Sequence, residues 1–270
     1  MNKSLVRIAS GLFPNSVTSF AYKQLTNPQV RKLRDNELVI LDQAIKERYA
    51  FKEFTIQLYT WGTGNRKILL IHGWEGQAGN FSDLIEALLQ QNFTIYAFDA
   101  PSHGFSSKGS TSLFEFTELV GILIKKFQVK DLVSHSFGGV ATTYALFNNQ
   151  DVSIDKYVLL TTPDRFSERI NDISTQVGNS EKVRKKLIQK LENELNVDVN
   201  TLNVSDFVRE ISVKKALIIH DKTDKIIPIE RSKNVAENWK VSELIEIEGT
   251  GHFKILRTQS VIKTVVDYLV

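Results

Sequence analysis

The apolar residues of this chain change their spacing several times along its length. Over residues 1–50 they recur at helical intervals. Leu5, Ile8, Ala9, Leu12 and Phe13 share one face of a first helix that Pro14 ends, and Leu38, Ile40, Leu41 and Ile45 form a partly buried stripe. This spacing predicts a mostly helical N-terminal extension over 1–50. Its first helix is expected to pack on the body of the protein or to meet a partner or membrane surface. Residues 53–61 (EFTIQLYTW) alternate like a strand, and 67–71 (KILLI) are continuously apolar, as in a strand buried on both faces. Strand-like runs at 94–99, 131–135, 156–161, 216–220 and 243–248 then interleave with helical stretches at 81–91, 113–127, 137–148, 229–239 and 255–269. Such alternation predicts an α/β fold with a mainly parallel sheet and helices on both faces. Sites in such sheets gather at the carboxyl ends of the strands.

One segment breaks this rhythm. Residues 164–215 contain no strand pattern, and Ser180 can cap a helix with Val183, Leu187 and Leu191 along one side. The expectation is one domain over 1–270 in which 164–215 is an inserted helical lid over the strand ends.

Composition narrows the function classes. The chain has 270 residues, of which 42% are hydrophobic and 24% charged, which excludes a disordered or fibrous chain. Its 34 basic and 31 acidic residues leave a net charge of +3, too little to argue for nucleic acid. The run EKVRKKLIQK at 181–190 carries Leu187 at helical spacing and reads as the wet face of a helix. With no cysteine, disulfides and thiolate chemistry are excluded. No stretch reaches the roughly 20 apolar residues that span a bilayer. The N-terminus has no clear signal-peptide cleavage site, so a cytoplasmic protein without stable membrane insertion is expected.

The candidate chemistry centres on Ser134-His135-Ser136-Phe137-Gly138-Gly139, between a strand and a helix. A sharp strand-to-helix turn lifts a serine hydroxyl clear of the sheet and needs small neighbours, here Ser134 and Gly138. The amide of Phe137 would then face developing negative charge at the helix N-terminus. A serine needs a base. Of the five histidines, His252 follows a flexible Gly249-Thr250-Gly251 loop just after a strand, whereas His72, His103, His135 and His220 read as structural. The base needs a carboxylate, for which Asp224 leads, with Asp221 and Asp164 behind it. A second oxyanion donor is expected after an early strand, where His72-Gly73-Trp74-Glu75-Gly76 stands. The amide of Trp74 is the candidate, with its ring lining the pocket. Phe166, Ile170 and Phe207 in the inserted segment suggest an apolar acyl pocket.

These pieces together resemble the α/β-hydrolase fold superfamily. The matching segments are HGWEG at 72–76, FDAPSHGFS at 98–106, SHSFGG at 134–139, HDKTDKIIP at 220–228 and GTGHFKIL at 249–256. The resemblance implies a three-layer fold with a mostly parallel eight-stranded sheet. It also implies a serine hydrolase in which Ser136, Asp224 and His252 act on a small acyl substrate without metal or organic cofactor. A carboxylesterase is the leading expectation. Thioesterase, acyltransferase and carbon–carbon hydrolase activities, or ligand binding without catalysis, are the alternatives. The family usually has glycine where this chain has Ser134.

Overall fold

A computed structural model describes residues 3–270 of the chain. Met1 and Asn2, at the start of the expected first helix, lie outside the described residues. Eight strands form one sheet: β1 (Ile45–Phe51), β2 (Phe54–Trp61), β3 (Arg66–Ile71), β4 (Phe93–Asp99), β5 (Asp131–His135), β6 (Ser153–Leu160), β7 (Ser212–Asp221) and β8 (Ser242–Ile247). Their order across the sheet is β1-β2-β4-β3-β5-β6-β7-β8. β2 runs antiparallel to both β1 and β4, and every other pairing is parallel. β5 is buried along its whole length, as are the last four residues of β3, which is why these strands read as unbroken apolar runs.

The order of strands positions the site. From β3 the chain moves to one neighbour, β4, and then returns to the other, β5. The carboxyl ends of β3 and β5 therefore flank the point where the winding reverses, the place where open α/β sheets bind ligands. Register completes the arrangement. Ile71 pairs with Ser134, so the loop after β3 and the turn after β5 leave the sheet side by side.

One expected helical region is a strand. β1 lies within the segment read as N-terminal helix, and it pairs with β2 from Ile45 opposite Thr60 to Phe51 opposite Phe54. Its sequence, IKERYAF, is exposed over most of its length. An edge strand dressed in charges resists pairing with other chains, and the same charges erase the apolar alternation that marks a strand. Helix Asp35–Asp42 does bury Ile40 and Leu41, and the Trp61 indole donates to the Ile40 carbonyl at 2.8 Å.

By their contacts the residues fall into two compact units. Residues 29–164 and 204–270 hold the entire sheet. Residues up to Pro28 and those from Arg165 to Asn203 form the other unit. The interior of the latter is Ile170, Leu187, Leu191 and Val199, with Ala21, Tyr22, Leu25, Phe166 and Ile188 against them. The insertion is thus shorter than the 164–215 expected. Helix Val204–Phe207 and the approach to β7 belong with the sheet, and β7 itself begins at Ser212. Two amphipathic helices cannot enclose a core by themselves, and helix Pro14–Thr26 supplies the third side. Helix Lys3–Leu12 turns Val6 and Ser10 inward, where the Ser10 carbonyl accepts the Ser180 hydroxyl at 3.4 Å. The face expected to pack is instead the open one, with Leu5, Ile8, Leu12 and Phe13 each more than half exposed.

Candidate active site

Ser136 sits at the turn between β5 and helix Phe137–Asn148, with φ +52° and ψ −124°. A non-glycine residue holds such a conformation only where its surroundings over-determine it. Here the Ser136 amide donates to the Leu160 carbonyl at 2.9 Å, and the Gly139 amide closes on the Ser136 carbonyl at 2.8 Å. Tight packing explains the small neighbours. A Cβ on Gly138 would stand 2.4 Å from the His72 carbonyl oxygen and 2.6 Å from that of Ile71. Ser134 fills the position where glycine is usual and is fully buried, its hydroxyl 2.8 Å from the Tyr157 hydroxyl.

The Ser136 hydroxyl donates to His252 Nε2 at 3.1 Å, and His252 Nδ1 donates to Asp224 Oδ2 at 2.8 Å. The other oxygen of Asp224 accepts the amides of Ile226 and Ile227 at 2.7 and 3.0 Å. Burial alone would push the Asp224 carboxyl up. The His252 hydrogen bond, its charge and the two amides outweigh burial and hold it below the ordinary carboxylate value. The three residues named from sequence therefore meet as one hydroxyl–imidazole–carboxylate chain. Such a chain can take a proton from the serine and steady the imidazolium that results.

The other two candidate carboxylates have different places. Asp221 accepts the amide and hydroxyl of Thr250 and the amide of Gly251, fastening the loop that carries His252. Asp164 accepts the Ser205 amide at 2.8 Å, where the segment after β6 meets helix Val204–Phe207.

The remaining histidines are buried. His72 Nδ1 donates to the Gly73 carbonyl at 2.7 Å, and its Nε2 accepts the Ala100 amide at 3.0 Å. His103 Nδ1 donates to the Pro101 carbonyl at 2.8 Å, and its Nε2 accepts the Glu75 amide at 3.2 Å. Together these two rings tie the loop at 72–76 to the loop after β4. His135 Nε2 donates to the His252 carbonyl at 2.9 Å. His220 Nε2 donates to the Ile227 carbonyl at 3.0 Å, and its Nδ1 lies 2.6 Å from the Ser232 hydroxyl. Burial pushes His72 down to about 4 and His135 down to about 3, so both are neutral rings of fixed tautomer.

Two backbone amides border Ser136. Phe137 opens its helix, where amides have no intrahelical acceptor. Trp74 lies in the loop that Gly73 brings close: a Cβ on Gly73 would be 3.1 Å from the Ser136 Cβ. Among the described residues neither amide has an acceptor. The Trp74 and Phe137 rings meet edge to face at 5.1 Å.

A cavity of about 190 Å³ opens beside Ser136, His252, Gly73 and Trp74. Its wall also contains Phe253, from the segment at 249–256, and Arg31, Arg34 and Arg257, which no sequence motif marked. Phe166, Ile170 and Phe207, expected to line an acyl pocket, are not in this wall. Ile170 and Phe166 serve the interior of the smaller unit, and Phe207 stacks on Tyr144 at 4.9 Å. Apolar side chains on short helices are needed first to hold those helices down. Among the described residues no group of three or more His, Cys, Asp or Glu is placed to hold a metal ion, and no helix is long and apolar enough to cross a membrane.

Comparison with known proteins agrees with this architecture. A sequence profile described as "Alpha/beta hydrolase family" matches residues 68–185. A "Probable serine hydrolase" of Drosophila melanogaster is 33% identical over 96 residues, covering 33% of this chain and 29% of that protein. A "Serine hydrolase-like protein" of Homo sapiens is 35% identical over 112 residues, covering 38% and 53%. The matched stretch thus spans about half or less of these relatives. The crystal structure of an esterase from Pyrococcus furiosus superposes with a TM-score of 0.65 at 16% identity, covering 91% of this chain and 97% of that one. Sheet order, the strained turn at Ser136, the profile matched over residues 68–185 and the superposition agree: the chain has the α/β-hydrolase fold.

Proposed function

We propose that the protein is a serine hydrolase that cleaves a carboxylic ester of a small substrate through an acyl-enzyme on Ser136. The observation that carries this reading is the Ser136 hydroxyl 3.1 Å from His252 Nε2, with Asp224 2.8 Å behind the same ring. As Ser136 Oγ bonds to the acyl carbon, its proton passes to His252 Nε2 and the carbonyl π pair moves to oxygen. The amides of Phe137 and Trp74 stabilise that oxyanion. Collapse breaks the bond to the leaving oxygen, which takes the proton from His252 and departs as the alcohol. A water then repeats the sequence on the acyl-enzyme, giving its proton to His252 and releasing the acid and free Ser136. The neutral, pinned rings of His72 and His103 keep the oxyanion loop in place.

Fluorophosphonate labelling of the intact protein, read by mass spectrometry beside Ser136→Ala, tests the reading. Labelling confined to the wild type supports it, and a series of esters and thioesters of matched chain length then sorts the acyl bond. Equal labelling of both proteins refutes Ser136 as the nucleophile.

A further inference from the structure

Four cations line the cavity beside Ser136: Arg31, Lys32, Arg34 and Arg257, against two carboxylates, Glu37 and Glu75. Arg34 and Glu37 pair with each other at 3.0 Å, and Arg34 also reaches Asp83 at 3.6 Å. Glu75 accepts the amide of Gln29 at 3.3 Å. Arg31, Lys32 and Arg257 have no carboxylate within ion-pair distance among the described residues. Elsewhere some cations take a carboxylate partner, as Arg66 does with Asp131 and Lys233 with Glu246, while others, such as Arg48, Lys67 and Lys130, donate to backbone carbonyls. Three cations without a carboxylate partner therefore stand together in the wall of a cavity that reaches Ser136.

Arg31 is also held in position. Its guanidinium lies 3.9 Å over the Phe253 ring, and that ring stands edge-on to His252 at 4.8 Å. Its carbonyl accepts the Gln77 side-chain amide at 2.6 Å, pinning the backbone. A guanidinium stacked on an aromatic face keeps its in-plane N–H groups available for a planar anion, and a stacked arginine loses little freedom on binding one. Like charges gathered in a cleft raise the local concentration of an oppositely charged ligand.

We propose that the ester cleaved at Ser136 carries an anionic group, which Arg31 and Arg257, assisted by Lys32, hold at the mouth of this cavity. The proposal deepens the esterase reading and rests on it. Carboxylate and phosphate share the chemistry these groups recognise.

The test compares the mono-4-nitrophenyl ester of glutaric acid with 4-nitrophenyl butyrate, using the full chain. In the wild type, kcat/KM favours the anionic ester by about ten-fold or more, and added salt shrinks the preference. In Arg31→Gln/Arg257→Gln the ratio falls toward one. In Lys263→Gln, which removes a cation paired with Asp267 on the last helix, the ratio stays as in the wild type. Competition by glutarate and by inorganic phosphate tells which anion the site prefers. A ratio near one in the wild type, or one unchanged in the double variant, overturns the proposal. Binding separates its failure from that of the esterase reading. Calorimetry on Ser136→Ala compares monomethyl glutarate with methyl butyrate without any turnover. If the wild type takes no fluorophosphonate and hydrolyses neither ester, the nucleophile assignment falls. Tighter binding of monomethyl glutarate then still supports the anion site, and equal binding overturns it.

Discussion

Asp221 holds Thr250 by two bonds, accepting both its backbone amide and its hydroxyl, two residues before His252. The carboxylate also accepts the Gly251 amide at 2.8 Å and, through its other oxygen, the Thr223 amide at 2.6 Å. Burial opposes its charge, but these donors outweigh burial and hold the group far below the ordinary carboxylate value. A glycine-bordered loop has little stiffness of its own, and Asp221 supplies it. Asp221→Ala is expected to slow fluorophosphonate labelling of Ser136 by about ten- to a hundred-fold, since small misplacements near reacting atoms are costly. It should also destabilise the fold by about 1–3 kcal/mol through the orphaned amides. Labelling at the wild-type rate would show that the loop keeps its place unaided.

The base and its carboxylate separate by a different pair of variants. His252→Ala leaves Ser136 without a proton acceptor, and Asp224→Asn leaves His252 in the wrong tautomer. Each is expected to cut kcat by roughly 10³–10⁴-fold, and the double variant little further, because the residues act as one unit. Additive losses in the double variant would mean that the two do not share a step. Circular dichroism should show both single variants folded.

Gly138 is a packing test of the turn. Its missing Cβ would collide with two backbone carbonyls, which cannot rotate away. Gly138→Ala is expected to cost about 1–3 kcal/mol in urea denaturation, the usual penalty of an overfilled site. It should slow labelling as well, since relief comes from moving the turn. A stable, fully reactive Gly138→Ala protein would mean that the turn tolerates a shift of the loop after β3.

Acid weakens this protein through its buried imidazoles. Burial pushes His72 down to about 4 and His135 down to about 3 from an ordinary 6.5, and His103 and His220 also lie below it. As pH falls from 6.5 toward 4, the unfolded chain takes up protons that the folded one refuses. Stability therefore drops in that window, by up to about 1.4 kcal/mol per pH unit for a ring such as His72 or His135. Asp99, pushed up by burial, acts in the opposite sense and softens the slope. Urea midpoints measured from pH 7.5 to 5 should decline below about 6.5. A flat profile would contradict neutral buried rings.

What could be read from sequence follows from how the pattern arises. β3 and β5 were legible because strands covered on both faces must be apolar throughout. Ser136, Asp224 and His252 were legible because each sits beside a strand end, where loop residues have no packing reason to be what they are. β1 was not legible, because an edge strand of Lys46, Glu47 and Arg48 carries no apolar face. Arg31 and Arg257 lie outside every motif, so only the folded chain reveals them, Arg31 through its place over the Phe253 ring and Arg257 in the cavity wall. Phe166 and Ile170 pack within the smaller unit, and in sequence an apolar residue on such a helix looks the same whether it meets a ligand or another helix.

The smaller unit is assembled from two lengths of chain that leave the ribosome far apart in time. Helix Pro14–Thr26 is made early, yet Ile170, Leu187 and Leu191, against which Ala21, Tyr22 and Leu25 pack, are made only after most of the sheet strands. At about 5–20 residues per second, the first helices wait roughly ten seconds or longer for their partners. During that interval the nascent chain carries an uncovered apolar stripe while β1 to β6 are already available to pair. The order of synthesis thus lets much of the sheet form before helix Pro14–Thr26 meets its partners, so that this helix, made before the strands, is among the last elements to find its place.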